Sequence, residues 1–468
     1  MPVAKLKPLP PFDLGRGCNL GEATRRWQGV AKSRPSRGAR TEAVVKTPDP
    51  VATVMANNKG RQTHLIPLRM GRMAASSFAF LRGSACVMAA DLVTTPITGI
   101  PTIMDGDAHL NNFGLYGTPQ REVVFDLNNF DEAVVGPWEW ELKRLTASVN
   151  VAGRQNGLNR RERAAAVRRC VTGYRFNVHR LQSMGVLDIW YIHAYPGRDN
   201  PIVTMDAKSE AVFRKTLAKA ETTDNRKLLN KVADRNRNGV WSFRNDPPVL
   251  TQVDKTTKEK VIKALNRYSL TLSRDRRIML GRYSAVDVAH RVVGVGSVGT
   301  RAYLVLLFGN GDDDPLFLQV KEAPMAAHAP YVPPMMEEFR HNGKRVVTGQ
   351  LALQASSDPM LGYTEINGHH YYVRQMKNLK ASVPVEWLTG SSFNFYAWSC
   401  GAILARAHAR TSDPARISGY CGTSHALDEA LVELAEAYGD QTERDHARLL
   451  EAIHHGEVAA DLSEGDGE

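Results

Sequence analysis

Disulfides, structural zinc and membrane spans all need residues that this sequence withholds. Its five cysteines (Cys18, Cys86, Cys170, Cys400 and Cys421) are scattered, odd in number and form no Cys-x-x-Cys pair. That excludes a disulfide framework and a zinc module. No run approaches the ~18 consecutive apolar residues a membrane-spanning helix needs. The opening MPVAKLKPLPPFDLGRG has lysines but no apolar core and no small-residue cleavage site, so it does not read as a signal peptide. Glycine and proline number 37 and 24 in 468 residues, ordinary usage that rules out collagen-like and wholly disordered chains. Zinc-finger and RNA-recognition signatures are missing, and no aromatic residues interleave with basic ones as stacking platforms. The expectation is a reduced, cytoplasmic protein with no membrane contact, and nucleic acid is disfavoured as its main ligand.

What is present is a chain 43% hydrophobic and 23% charged, long enough for two or three packed units with a cleft between them. Lys plus Arg is 60 against 49 Asp plus Glu, a net charge of +11 before histidine. The excess is uneven: residues 1–48 hold ten Lys/Arg against three acids, and Arg154 through Arg169 hold six arginines against Glu162. Residues 1–60 are rich in Pro, Arg and Ala without periodicity and read as a disordered basic arm. Residues 78–93 look like a buried helix, and Pro96 to Asn129 like short strands and loops. Apolar positions 138, 142, 145, 149 and 152 form a helical stripe, and Asn159 can cap the next helix, with stripe Val167, Val171, Tyr174, Val178 and Leu181. Residues 195–285 are polar and weakly patterned, an insertion or connector with helices. A β-rich stretch follows to about 376, with strands AYLVLLF, LFLQVKE and HYYVRQM. Residues 391–410 are apolar on nearly every face, the mark of a buried helix, and helices continue to about 454. The last twelve residues carry five acids and no base.

Two constellations could carry chemistry. The first is Asp105-Gly-Asp107-Ala-His109-Leu-Asn-Asn112-Phe-Gly114, followed by VVFDLNNFDEA with Asp126, Asp131 and Glu132. Carboxylates and amides crowded between strands are costly to leave unpaired. One carboxylate could accept a hydroxyl proton, and an Asn/Asp pair could hold a hard cation such as Mg2+ through oxygen. Turn capping by Asp, Asn and Gly accounts for the same composition equally well. The second is RVVGVGSVGTRAYLVLLFGNGDDDPLFLQVKEA. Gly294, Gly296 and Gly299, with Ser297 among them, lie between apolar runs, and Lys321 follows 22 residues after Gly299. A dinucleotide-binding turn should open a helix, yet AYLVLLF is β-branched and aliphatic. The segment reads as strand, glycine turn, strand, hairpin, then a strand bearing a lysine. Backbone amides of such a turn can approach phosphates, and the lysine can pair with them. A structural hairpin with a snorkelling lysine is the plainer account.

Together these segments resemble protein kinase-like phosphotransferases, especially the aminoglycoside and choline kinase branch. Its G-D-x-H-x-x-N loop matches Gly106-Asp107-Ala-His109-Leu-Asn-Asn112, with the Asp-to-Asn step of five residues. The order is reversed: the loop near residue 107 precedes the glycine turn, and the buried helix ending LARAHART has no such loop after it. Circular permutation explains both facts, because it moves chain ends without moving residues in space. With FAFLRG, FDLNNFDEAVVGPWEWELKRL, VVGVGSVGTR and LQVKEA, the arrangement also resembles a bacterial family catalogued only as a domain of unknown function (number 2252), over roughly residues 60–440.

The resemblance implies an α+β, two-lobed kinase-like fold in permuted order. Residues 61–285 would form a helical lobe with the catalytic loop and the insertion. Residues 286–385 would form a β-rich nucleotide lobe, 386–455 the completing helices, and 456–468 an acidic tail. It implies ATP and Mg2+ as cofactors, a nucleotide and a small-molecule or protein hydroxyl acceptor as partners, and phosphoryl transfer as the reaction. Asp107 would take the acceptor proton with His109 beside it. Gly294, Gly296, Ser297, Gly299 and Lys321 would meet the phosphates, and Gln375 in the YYVRQMKN hinge the adenine. Asn112 would hold metal, with Asp126 as second ligand, Asp131 next in order, and Asn129 where counting back from Trp140-Glu141-Leu142 lands. The acidic partner of Lys321 is open among Glu337, Glu338 and a substituting Gln350. Arg82 is a possible phosphate clamp. His369, His370, His408, His454 and His455 read as structural or exposed. The other functional readings are AMP transfer by the same fold, and a non-catalytic nucleotide-binding or basic nucleic-acid-binding module.

Overall fold

Asp49, the first of the described residues, caps a helix. Its carboxylate accepts from the Val51 N–H at 3.2 Å, and Pro50 takes the first helical position, where a missing N–H costs nothing. The computed structural model describes residues 49–462 apart from 96, 197–206, 223, 238, 293, 333–339 and 377–378. Residues 1–48 of the expected arm, residues 463–468 of the acidic tail, and Glu337 and Glu338 therefore lie outside the described residues. The arm does not extend to residue 60, because helix α1 (Pro50–Asn57) buries Val51 and Val54.

α2 (Ile66–Ala74), α3 (Ser77–Gly83) and α4 (Ala85–Leu92) follow. The single helix expected over 78–93 is broken at Ser84, whose hydroxyl donates to the Phe80 carbonyl at 2.6 Å. β1 (Pro101–Met104) pairs antiparallel with β4 (Val134–Pro137), and between them β2 (Phe113–Gly117) pairs with β3 (Val123–Leu127). α5 (Trp138–Gln155) and α6 (Arg160–Leu181) bury the two expected stripes, and Asn159 and Glu162 close a capping box on α6.

The next stretch holds α7 (Val186–Tyr191), α8 (Ala207–Glu221), α9 (Asn225–Val232), β5 (Ala233–Arg235), β6 (Trp241–Phe243), β7 (Leu250–Gln252), α10 (Lys255–Ser269) and α11 (Arg274–Leu280). After it come β8 (Ser284–Arg291), β9 (Ala302–Phe308), β10 (Pro315–Glu322), α12 (Asn342–Leu353), β11 (Gly362–Ile366), β12 (His369–Gln375) and β13 (Ala381–Ser382). The main sheet is antiparallel with order β11-β12-β10-β9-β8-β7, and β13 adds to β2 in a separate sheet. Side chains alternate across a strand, and β9 shows it. Leu304 and Leu306 face one apolar cluster with Leu228 and Leu229 of α9, while Val305 and Leu307 face another with Val261 and Leu265 of α10. Elements expected to insert into a helical region thus cover both faces of the sheet, since a sheet apolar on both sides must be buried on both.

α13 (Gly390–Thr411), α14 (Pro414–Cys421) and α15 (Ala426–His454) complete a mixed α+β architecture. α13 is buried along nearly its whole length and lies backbone to backbone on α6. A Cβ on Gly401 would stand 2.1 Å from the Cys170 carbonyl oxygen, and one on Gly173 2.3 Å from that of Trp398. Among the described residues no helix is long and apolar enough to cross a membrane. Because backbone cannot yield as a side chain does, Gly401→Ala is expected to cost about 1–3 kcal/mol or more. A lowered melting temperature by circular dichroism checks this; an unchanged one contradicts the contact.

Candidate active site

β1 ends in the loop that carries the first constellation, and glycine geometry sets its course. Gly106 has φ +82°, and a Cβ there would fall 2.0 Å from the Glu132 carbonyl oxygen. The loop therefore backs directly onto residue 132, and only glycine fits. The Gly106 N–H donates to Glu141 Oε1 at 2.7 Å. The Asn112 side-chain amide donates to the Asp107 carbonyl at 2.7 Å, and the His109 N–H to that same oxygen at 2.7 Å. These bonds fold Asp107, His109 and Asn112 into one rigid turn.

Asp107 is buried, and its Oδ1 accepts from Arg144 Nε at 2.6 Å. Burial pushes its pKa up to about 7: loss of solvent outweighs the opposing Arg144 charge, and Glu132 and Asp131 add to the rise. Oδ2 faces His109 Nε2 at 3.6 Å. That contact is not an ion pair, because burial, with the charges of Arg82 and Arg144, holds the imidazole pKa well below its ordinary value. Beneath the loop, Glu141 Oε2 meets His408 Nε2 at 2.9 Å, and His408 Nδ1 meets the Tyr174 hydroxyl at 2.8 Å. His408 is thus structural, as expected, and wholly enclosed. Asp105 is fully buried with both carboxylate oxygens lacking a hydrogen bond. Burial, then the neighbouring Glu141, Asp107 and Asp131, raises its pKa well above the usual range.

Lys321 arrives from β10 and forms a buried ion pair with Asp131. Burial, the largest single influence on each, would lower the lysine pKa and raise the aspartate's; the partner's charge, their hydrogen bond and neighbouring groups together outweigh it, so the lysine's is raised and the aspartate's lowered. The partner of Lys321 is therefore a loop aspartate. Gln350, weighed for that place, instead donates to Gln354 Oε1 at 2.9 Å. α12 contributes Arg345, which donates to the carbonyls of Ala133 (2.6 Å), Asp131 (2.9 Å) and Pro324 (2.7 Å) and so pins the loop bearing Asp131.

Asp126, preferred over Asp131 as a metal ligand on the sequence, is already engaged by other groups. Asp126 is 1% exposed, paired with buried Arg406, and accepts from the N–H groups of Leu127 (2.8 Å) and Ala355 (2.9 Å) and from the Tyr116 hydroxyl (3.3 Å). Both of its oxygens are engaged. Asp131, by contrast, keeps Oδ1 without a hydrogen-bond partner. Asn129, the position reached by counting back from Trp140-Glu141-Leu142, is half-buried in the loop after β3.

Gly294, Gly296, Ser297 and Gly299 form the turn between β8 and β9, as the strand–turn–strand reading requires, with φ +75° at Gly294 and +86° at Gly299. No helix follows the turn. Gln375 ends β12, with its N–H on Asp358 Oδ2 at 2.5 Å and its side-chain amide on Oδ1 at 2.7 Å, so that amide is held by a carboxylate. The hinge residues 377–378 lie outside the described residues. A separate open cavity of about 470 Å3, lined by Gln62, Pro247, Pro248, His290 and Tyr303 among others, contains none of the residues above.

A family model described as an uncharacterised protein conserved in bacteria, DUF2252, matches residues 61–452. The chain belongs to that family. No curated protein and no solved structure matches it. The residues that sequence reasoning missed in this DUF2252 chain are the ones that hold the motifs: Arg144, Glu141, Arg345 and Arg406. Trp140-Glu141-Leu142 had served only as a landmark, and LARAHART, containing Arg406 and His408, only as a resemblance; the repeated placement of charge in otherwise apolar helices was the available signal.

If Asp126 is structural, Arg406→Ala strands a buried carboxylate and is expected to cost about 3–5 kcal/mol. Urea denaturation measures it, and the loss should be the same with and without Mg2+. A loss that appears only with Mg2+ would return Asp126 to the metal site.

Proposed function

We propose that this DUF2252 chain is an ATP- and Mg2+-dependent phosphotransferase with a circularly permuted kinase-like arrangement, acting on a hydroxyl of a small molecule. One observation carries the reading. The backing of Gly106 onto Glu132 brings the Asp107 loop beside the loop whose Asp131 pairs with Lys321, from a strand 190 residues further on. The β8–β9–β10 meander, a helix, and the β11–β12 hairpin support it, with the glycine turn at the first connection.

In this reading Asp107 Oδ2 accepts the acceptor hydroxyl's proton, while Arg144 fixes the carboxylate by Oδ1. A pKa of about 7 suits a base that must be free at neutral pH yet able to take a proton. The glycine turn and Lys321 receive the phosphates. Asn112 and Asp131 would hold Mg2+, and the orphaned Asp131 Oδ1 is an oxygen donor of the right kind. Among the described residues no three His, Cys, Asp or Glu gather as a metal cluster, which suits an ion that takes one or two carboxylates and completes its shell with phosphate oxygens. When bound, Mg2+ neutralises phosphate charge and orients the transferring group. The protein's own part is positioning and exclusion of water.

Asp107→Asn keeps the shape and removes the base. ATP turnover with a bacterial small-molecule extract as acceptor source should fall by ~100-fold or more, while Mg2+·ATP affinity stays within about twofold. Undiminished turnover would remove Asp107 from the mechanism. The wild-type rate should rise with pH through about 7 and level off above it, because the base works only when deprotonated. Product mass separates phosphoryl from adenylyl transfer.

A further inference from the structure

The first N–H groups of a helix find no acceptor within it and need one from outside. At α12 two imidazoles supply it. His341, at the N-cap, accepts from the Lys344 N–H on Nδ1 at 3.2 Å. His370, from β12, accepts from the Asn342 N–H on its own Nδ1 at 3.1 Å. The two rings are stacked, with centroids 3.9 Å apart and planes at 25°, and the Tyr363 ring of β11 lies 4.9 Å from that of His341. The turn is seated tightly on β12: a Cβ on Gly343 would lie 2.2 Å from the Tyr371 carbonyl oxygen.

An imidazole nitrogen accepts a hydrogen bond only while it carries no proton. Both rings are therefore neutral in this arrangement. A proton added to either ring goes to the same Nδ1, which then meets an N–H donor instead of capping it. Protonating both sets two cations in stacked contact at the positive end of the helix dipole. The capped first turn and the charged pair exclude one another.

The surrounding charges do not relieve this. Glu365 of β11, in register opposite His370, favours the charged form of His341, but burial and then the His370 charge hold the His341 pKa below its ordinary value. Arg267 of α10 donates to the Glu365 carbonyl. On β12, His369 Nδ1 meets Glu322 Oε1 at 3.0 Å. Lys344 and Arg345 of α12, and Arg340 before it, add positive charge. The unfolded chain therefore takes up protons first as the pH falls below about 6.5, and the folded turn loses stability there.

The cap matters because of what α12 holds. Arg345, one turn after His341, is the residue that donates to the Ala133, Asp131 and Pro324 carbonyls. Next to Lys321 and Glu322, the Ala323 N–H donates to the His370 carbonyl at 2.8 Å. Both members of the Asp131–Lys321 pair are thus tied to segments that meet at the stacked rings.

We propose that His341 and His370 form a proton-operated latch: neutral, they seat the first turn of α12 and keep Arg345 on the Asp131 loop, and on acidification they release both. The latch does not depend on the phosphotransferase reading. The test is hydrogen–deuterium exchange of the full chain at about pH 7.5 and about pH 5, corrected for intrinsic rates, on the wild type, His341→Asn and the double variant His341→Asn/His370→Gln. Asparagine caps a helix without titrating. In the wild type, residues 342–347 and 131–133 should exchange together ~10-fold or more faster at the acid pH, with α13 unchanged. In the double variant that response should fall below about twofold, with His341→Asn between the two. No acceleration in the wild type, or the same acceleration in the double variant, overturns the latch. Equal acceleration in α13 marks global unfolding and also overturns it, and acceleration of 342–347 without 131–133 overturns its link to the site. If the double variant already exchanges fast at about pH 7.5, His341→Asn decides alone: a full wild-type response to acid overturns the proposal.

Discussion

A carboxylate taken out of water must find a cation or an N–H, and the candidate site of this protein is built around meeting that demand. Asp107 is met by Arg144, Asp126 by Arg406, Asp131 by Lys321 and Glu141 by His408. Each pair joins segments far apart in the chain. Desolvation makes such pairs poor sources of net stability, yet severing one is costly, so they fix which segments may meet. Asp105, with neither cation nor N–H on its carboxylate, is the exception, and its raised pKa is the physical consequence.

Around these pairs the packing leaves little freedom. α13 touches α6 through glycines with no room for a methyl group, which sets where Arg406 and His408 project. α5 carries Glu141 and Arg144 one turn apart, so one helix supports the Gly106–Asn112 loop at both Gly106 and Asp107. α12 plays the matching part on the sheet side, where Arg345 secures the loop carrying Asp131. The two loops of the candidate site are therefore each held by an arginine or glutamate from a helix, a requirement for any site that acts by positioning.

The helical stripes, the Asn159 cap, the strand–turn–strand around Gly294–Gly299 and the buried helix over 391–410 were legible because periodicity and capping are local signals. The Gly106–Asn112 loop was legible as a motif. Its supports were not: an arginine in a helix reads as surface until tertiary contacts bury it, as Arg144 and Arg406 show at 1% exposure each. The engagement of Asp126 was hidden for the same reason. Strand-end position recommended Asp126, and only the placement of Arg406, 280 residues away, shows that its carboxylate is engaged.

Hydrogen–deuterium exchange of the wild-type protein with and without Mg2+·ATP tests the central claim most directly. The account predicts that nucleotide slows exchange together in the catalytic loop 105–112, the glycine turn 294–299 and the Lys321 strand, three segments that only a shared site would link. Protection confined to the cavity around Gln62, His290 and Tyr303, or none at saturating nucleotide, would contradict it.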